Sequence, residues 1–150
     1  MDYPLLKQQL AAFAQDAPWD ITLLANAAAL IYDSMEDINW AGFYLMRDGA
    51  LILGPFQGKP ACIRIPVGRG VCGTAAATDT VQLVPDVHAF PGHIACDSAS
   101  ASEIVIPIHR DGAVIAVLDI DSPTTARFTE ADRDGLCAAA AIIEQYYKEN

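Results

Sequence analysis

No apolar run in the sequence reaches the ~18 residues a membrane helix needs. The longest apolar stretches are broken by Asn26, Asp33 or Glu144. A basic start with a continuous apolar middle is also missing: the first fifteen residues, MDYPLLKQQLAAFAQ, do not read as a signal peptide, so a cytoplasmic location is expected. Positive charge is scarce. Nine Lys and Arg stand against nineteen Asp and Glu, a net charge of −10. Such a surface repels phosphate backbones and anionic lipid, which excludes nucleic acid and membrane as expected partners; the acidity itself serves solubility. Repeats, low-complexity stretches and linkers are absent, so 1–150 is expected to form one domain. A domain of that size buries roughly 70% of its unfolded surface and needs no staples. Cysteine is sparse too: Cys62, Cys72, Cys96 and Cys137. A cytosolic chain with its own core neither needs nor readily keeps structural disulfides. The thiols are therefore packing residues, metal ligands or reactive groups.

What is present has a clear order. Two helices are expected in the first thirty-five residues, one with Leu6, Leu10 and Phe13 on a common face, the next N-capped by Asp20 with a stripe of Leu24, Ala27, Ala28 and Ile31. The period then changes to that of strands: Asn39–Met46, a turn at Arg47-Asp48-Gly49, then Ala50–Phe56 as its hairpin partner. Ala61–Ile65 reads as a third strand, Val71 to about Thr78 as a short helix, and Val81–Val84 as a short strand. From Pro85 to about Ser102 the pattern is irregular, and a loop of that length in a compact domain is usually functional or disordered. Strands Glu103–Ile108 and Ala113–Ile120 flank Arg110-Asp111-Gly112. Thr129, with Asp132 three residues on, caps a last helix whose stripe is Leu136, Ala139, Ala140, Ile143 and Tyr147. Helices at both ends around a mostly antiparallel sheet make an α+β sandwich.

Strand alternation sorts the polar residues. Trp40, Gly42 and Tyr44 share one face of the first strand. Asp119 and Asp121 share a face with Ile115 and Val117 on the last strand, and Glu103 opens the neighbouring one. Carboxylates inside VLDID cost several kcal/mol to bury unless paired or protonated. Either they cap turns where the strand ends, or they form an acidic pocket in which like charges raise the carboxyl pKa values.

The segments NWAGFY at 39–44, LGPFQGKPACIRIPVGRGVCGTAA at 53–76, VPDVHAFPGHIACDSASASEIVIPI at 84–108 and LDIDSP at 118–123 together resemble the free methionine-(R)-sulfoxide reductases, a GAF-fold family. They follow in order and with matching spacing, and the three family cysteines fall on Cys62, Cys72 and Cys96. The resemblance implies a GAF-like six-stranded antiparallel sheet with the N- and C-terminal helices packed on it. It implies reduction of free L-methionine-(R)-S-oxide, recycling by thioredoxin, a homodimer, and no metal or organic cofactor.

Under that resemblance Cys96 is the expected nucleophile. Glu103 is the expected proton donor with Asp121 sharing the work, and Asp119 is the expected partner of the substrate ammonium. Trp40 and Tyr44 would wall in the methyl and sulfur, since sulfur packs well on aromatic edges. Attack leaves Cys96 as a sulfenic acid, which a second thiol converts to a disulfide. Cys62 and Cys72 both qualify. Cys62 is favoured because it is expected on a strand beside the loop; Cys72 follows Gly70 near a helix start, where the dipole would lower its pKa.

Other readings compete. His88, His93 and Cys96, with Cys62 or Cys72, could hold zinc, though the ligand pairs are not closely spaced. Gly68, Gly70 and Gly73 lack the Lys-Ser/Thr of a phosphate loop. Cys137 reads as packing and His109 as solvated. A non-catalytic GAF ligand sensor and a general thiol peroxidase are the rival functions.

Overall fold

The computed structural model describes every residue of the chain except Ala95, Asp97 and Asn150. Six strands form one sheet: β1 (Trp40–Arg47), β2 (Ala50–Gly58), β3 (Arg64–Pro66), β4 (Gln82–Val84), β5 (Ser102–Arg110) and β6 (Ala113–Ser122). Their spatial order is β3-β2-β1-β6-β5-β4, and every neighbouring pair is antiparallel. Two hairpins set the registers. Asp48-Gly49 and Asp111-Gly112 hold positive φ at both residues, the geometry of the two-residue turn that matches strand twist.

Helices α1 (Tyr3–Asp16), α2 (Asp20–Ser34) and α4 (Glu130–Tyr146) cover one face. Their stripes meet Ala41, Phe43, Leu45, Ile104, Ile106, Ile108, Leu118 and Ile120 in one apolar core. The expected stripes of α2 and α4 are all buried, and Thr129 and Asp132 close a reciprocal capping box. Tyr147 completes its stripe from the position just past the helix end. On α1 the expectation fails at Phe13, which is 37% exposed, while Ala14 takes the buried place. The helical turn of 3.6 residues carries Ala14, four after Leu10, back over the core. Asp20 also departs from expectation. Trp19 is the N-cap residue, and Asp20, buried in the first turn, accepts from the Lys148 backbone N–H.

The opposite face carries α3 (Gly70–Thr78) and a second apolar cluster of Trp40, Tyr44, Leu51, Ile65, Val71, Ala75, Val105 and Val117. The expected strand at 61–65 is in fact only Arg64–Pro66, so Cys62 lies in the irregular chain before β3. Register with β2 begins only at Arg64, opposite Ile52, with one further bond from Leu53 N to the Ile63 carbonyl. The irregular segment at 85–102 holds one short 3-10 turn, Val87–Ala89, capped by Asp86, and includes the two internal residues outside the description.

Candidate active site

Register builds the site. Trp40 pairs with Asp121, and Asp121 with Glu103, so these three form one row across β1, β6 and β5. Gly42, Asp119 and Val105 form the next row, and Tyr44, Val117 and Pro107 the one after. Residues two apart on a strand point to the same face, and directly opposite Cβ atoms lie about 5 Å apart. Three carboxylates are thereby drawn together under α3. Gly42 is needed among them: a Cβ there would stand 2.3 Å from the Phe56 Cβ.

The acidic-pocket alternative is the one the structure bears out. Glu103 is 8% exposed and Asp119 5% exposed, both within a strand rather than at a turn. Burial, more than like charge, raises the Glu103 pKa well above the usual carboxylate range, with Asp119 and Asp121 adding to it. Burial also raises Asp119, whose hydrogen bonds to Glu103, Cys72 and Asp121 work the other way. One oxygen of Asp119, Oδ1, is buried with no hydrogen-bond partner. An unsatisfied buried acceptor costs ~1–3 kcal/mol and calls for a donor.

Cys62 and Cys96 are joined by a disulfide, with their Cα atoms 5.3 Å apart. Cys72 is a free, buried thiol, its Sγ 3.9 Å from Glu103 Oε2. Burial pushes this thiol far up, and the three carboxylates push it further. The expectation that the α3 dipole lowers its pKa is therefore wrong. A helix end acts on an exposed charge within its first turn, whereas here desolvation and three nearby carboxylates dominate. The zinc alternative would require the Cys96 sulfur that is bonded to Cys62.

A pocket of about 40 Å³ gathers these groups: Trp40, Tyr44, Cys72, Cys96, Glu103, Asp119 and Asp121 all line it, with Arg69, His93 and Ser100. Cys62 is absent from that lining. Trp40 stacks on Tyr44 and Phe56, with ring centroids 5.9 and 5.2 Å apart. The two aromatic residues of β1 have a second task. Trp40 Nε1 donates to the Lys59 carbonyl at 3.1 Å, and the Tyr44 hydroxyl donates to the Cys62 carbonyl at 2.9 Å. With Leu53 N donating to the Ile63 carbonyl, these bonds fix the irregular segment carrying Cys62. Arg69 and Ser100 belong to no periodic pattern in the sequence; Arg69, just before α3, and Ser100, in the irregular segment before β5, line the pocket only in the folded chain.

Two remaining expectations divide. Cys137 packs, partly buried, against the main core. His109 is not simply solvated: its ring joins Asp79 through Nε2 and Glu144 through Nδ1, the latter at 2.8 Å.

The GAF domain family model matches residues 21–146. The free methionine-R-sulfoxide reductase of Escherichia coli K12 is 58% identical over 125 residues, covering 83% of this chain and 76% of that protein. The reduced form of the Staphylococcus aureus fRMsr superposes with a TM-score of 0.95 at 52% identity, covering 98% and 96% of the two chains. The free methionine-R-sulfoxide reductase of Neisseria meningitidis, solved in complex with its substrate, gives 0.93 at 44% identity, covering 97% and 87%. With its fold, its paired cysteines and its buried carboxylates in place, the chain belongs to the GAF domain family and, within it, to the free methionine-R-sulfoxide reductases.

Proposed function

We propose that the protein reduces free L-methionine-(R)-S-oxide to L-methionine, with 1–150 acting as one catalytic domain. The observation that carries this reading is the placement of the Cys96 sulfur, one half of a disulfide, in the wall of the pocket that holds Glu103, Asp119 and Asp121.

The chemistry follows from those groups. In the reduced enzyme the Cys96 thiolate attacks the sulfoxide sulfur. The sulfoxide oxygen needs a proton, and Glu103, held protonated by burial, donates it, with Asp121 sharing the work. Methionine leaves and Cys96 carries the oxygen as a sulfenic acid. The Cys62 thiol then attacks that sulfur, water departs, and the Cys62–Cys96 bridge forms. The free state of Cys72 in the bridged protein supports Cys62 as the resolving thiol. Thioredoxin supplies two electrons and two protons to restore the thiols.

Substrate choice has its own basis. The unpartnered Asp119 Oδ1 suits the ammonium of a free amino acid. A peptide-bound methionine sulfoxide offers only a neutral amide there and so loses the charge pairing of an ammonium with the buried carboxylate, which makes it a poor substrate under this reading. Trp40 and Tyr44 pack the methyl and sulfur. We infer further that the enzyme works as a cytosolic homodimer without metal or organic cofactor. No helix among the described residues is long and apolar enough to cross a membrane.

The test is an NADPH-coupled thioredoxin assay with racemic free methionine sulfoxide. Consumption of half the substrate is expected. Turnover of peroxide without turnover of sulfoxide would make the protein a thiol peroxidase, and binding without turnover of either would make it a ligand sensor.

A further inference from the structure

Cys96 faces the pocket, and Cys62, half-buried, does not line it. The residue after Cys62 is Ile63, 74% exposed, the most exposed of the large hydrophobic side chains; Val67 follows at 40%. A lone exposed apolar residue needs no explanation. This pair is different because it flanks an exchangeable disulfide and because of the charge around it. The protein carries −10 overall, yet residues 49–78 contain no Asp or Glu and three basic residues, Lys59, Arg64 and Arg69. All three are exposed, and none takes part in an ion pair among the described residues. The same stretch contains β3, an edge strand, so extended backbone beside Cys62 is open on one side.

We infer that Ile63, Val67, Lys59 and Arg64 form the docking surface for the reductant. The surface fits a dithiol protein with an apolar rim and an acidic flank around its active site, and it directs attack to the Cys62 sulfur. The reductant's thiolate forms a mixed disulfide with Cys62 as the Cys62–Cys96 bond breaks, and Cys96 leaves as the thiolate. The reductant's second thiolate then attacks its own sulfur in the mixed disulfide, releasing Cys62. Two electrons pass to the enzyme, the two thiol protons follow, and the partner ends as a disulfide. Opposite charge steers the encounter, and the apolar pair supplies contact area once docked. The inference rests on the reductase reading, since it assumes the bridge is reset in each cycle.

The experiment compares two reductants on the full chain, thioredoxin and dithiothreitol, for wild type, K59E/R64E and I63D. With thioredoxin, the charge-reversed variant should lose about tenfold or more in kcat/KM for the reductant at low salt, and the loss should shrink at high salt. I63D should lose about tenfold or more at low salt, and the part due to lost apolar contact should persist at high salt. With dithiothreitol all three should match. Salt alone should slow the wild type with thioredoxin and not with dithiothreitol, a check that needs no variant. Unchanged thioredoxin kinetics in both variants would overturn the inference, as would an equal loss with both reductants. A change in oligomeric state of I63D with unchanged thioredoxin kinetics would give the surface to a second copy instead. If wild type with dithiothreitol turns over no methionine sulfoxide, the reductase reading itself fails; intact dithiothreitol turnover confines any failure to the docking surface.

Discussion

Replacing Glu103 with glutamine should flatten the dependence of stability on pH while removing most of the turnover. Glu103 is buried on β5 opposite Asp121 of β6, with Asp119 also near, and its folded pKa is raised, chiefly by desolvation. A raised carboxyl pKa stabilises the fold fully below the ordinary carboxylate range, and that stability is lost as pH rises toward the folded value. Between those limits the folded protein holds one proton that the unfolded chain has released. Linkage then gives a slope of about −1.4 kcal/mol per pH unit for as long as Glu103 keeps its proton. Glutamine has nearly the same shape and no proton to lose, so E103Q should lack this slope. His109, whose folded pKa is also raised, bends the curve the same way, but it is present in both proteins and cancels in the difference. The assay is urea unfolding followed by tryptophan fluorescence at pH 5.5, 6.5 and 7.5, with the disulfide intact and the ionic strength fixed. Wild type should lose stability with rising pH more steeply than E103Q, by at most about 1.4 kcal/mol per pH unit while Glu103 holds its proton. Parallel curves would refute the claim that Glu103 is protonated in the folded protein, and with it the proton-donor role. Kinetically, E103Q should lower kcat more than it raises KM; an effect confined to KM would move proton donation elsewhere.

The other predictions are shorter. C96S should abolish turnover, whereas C62S should release about one equivalent of methionine per active site and then stall with Cys96 as a sulfenic acid; rapid-quench counting decides it, and full cycling by C96S would sink the assignment. Y44F removes the donor to the Cys62 carbonyl, at a cost of ~1–3 kcal/mol if that carbonyl is left buried and unpaired. Disulfide closure after a single turnover should slow in this variant, and an unchanged closure rate would mean that the bond does not position Cys62. By NMR titration His109 should titrate above an ordinary histidine, because Asp79 and Glu144 hold its charged form, and His93 below one, because burial and His88 disfavour its charge; the reverse order would contradict the placement of both rings.

Much of the fold was legible in the chain because local patterns carry it. Period 3.6 on α2 and α4, alternation on β1 and β6, and the two Asp-Gly turns each follow from backbone geometry within a few residues. The errors lie where the local signal was ambiguous. Phe13 and Ala14 both follow Leu10 at helical spacing, and apolar character favoured the wrong one. Cys62 sits in an extended but unpaired stretch, and alternation cannot distinguish that from a strand. Cys72 lies near a helix start, but its charge state is decided by burial, with Asp119 and Glu103, about fifty and thirty positions away, adding to it.

By itself, then, the sequence determined the elements, their apolar faces, and the inventory of thiols and carboxylates, since each depends on neighbours along the chain. Which groups share a pocket was decided by tertiary structure alone. Sheet order places Glu103, Asp121 and Trp40 in one row, α3 lays Cys72 over them, and hydrogen bonds from Trp40 and Tyr44 hold the segment that carries Cys62. Only then does it become definite that Cys62, not Cys72, is bonded to Cys96, and that burial rather than a helix end governs the Cys72 thiol. Desolvation and disulfide geometry depend on what surrounds an atom in space, and no spacing along the chain encodes that.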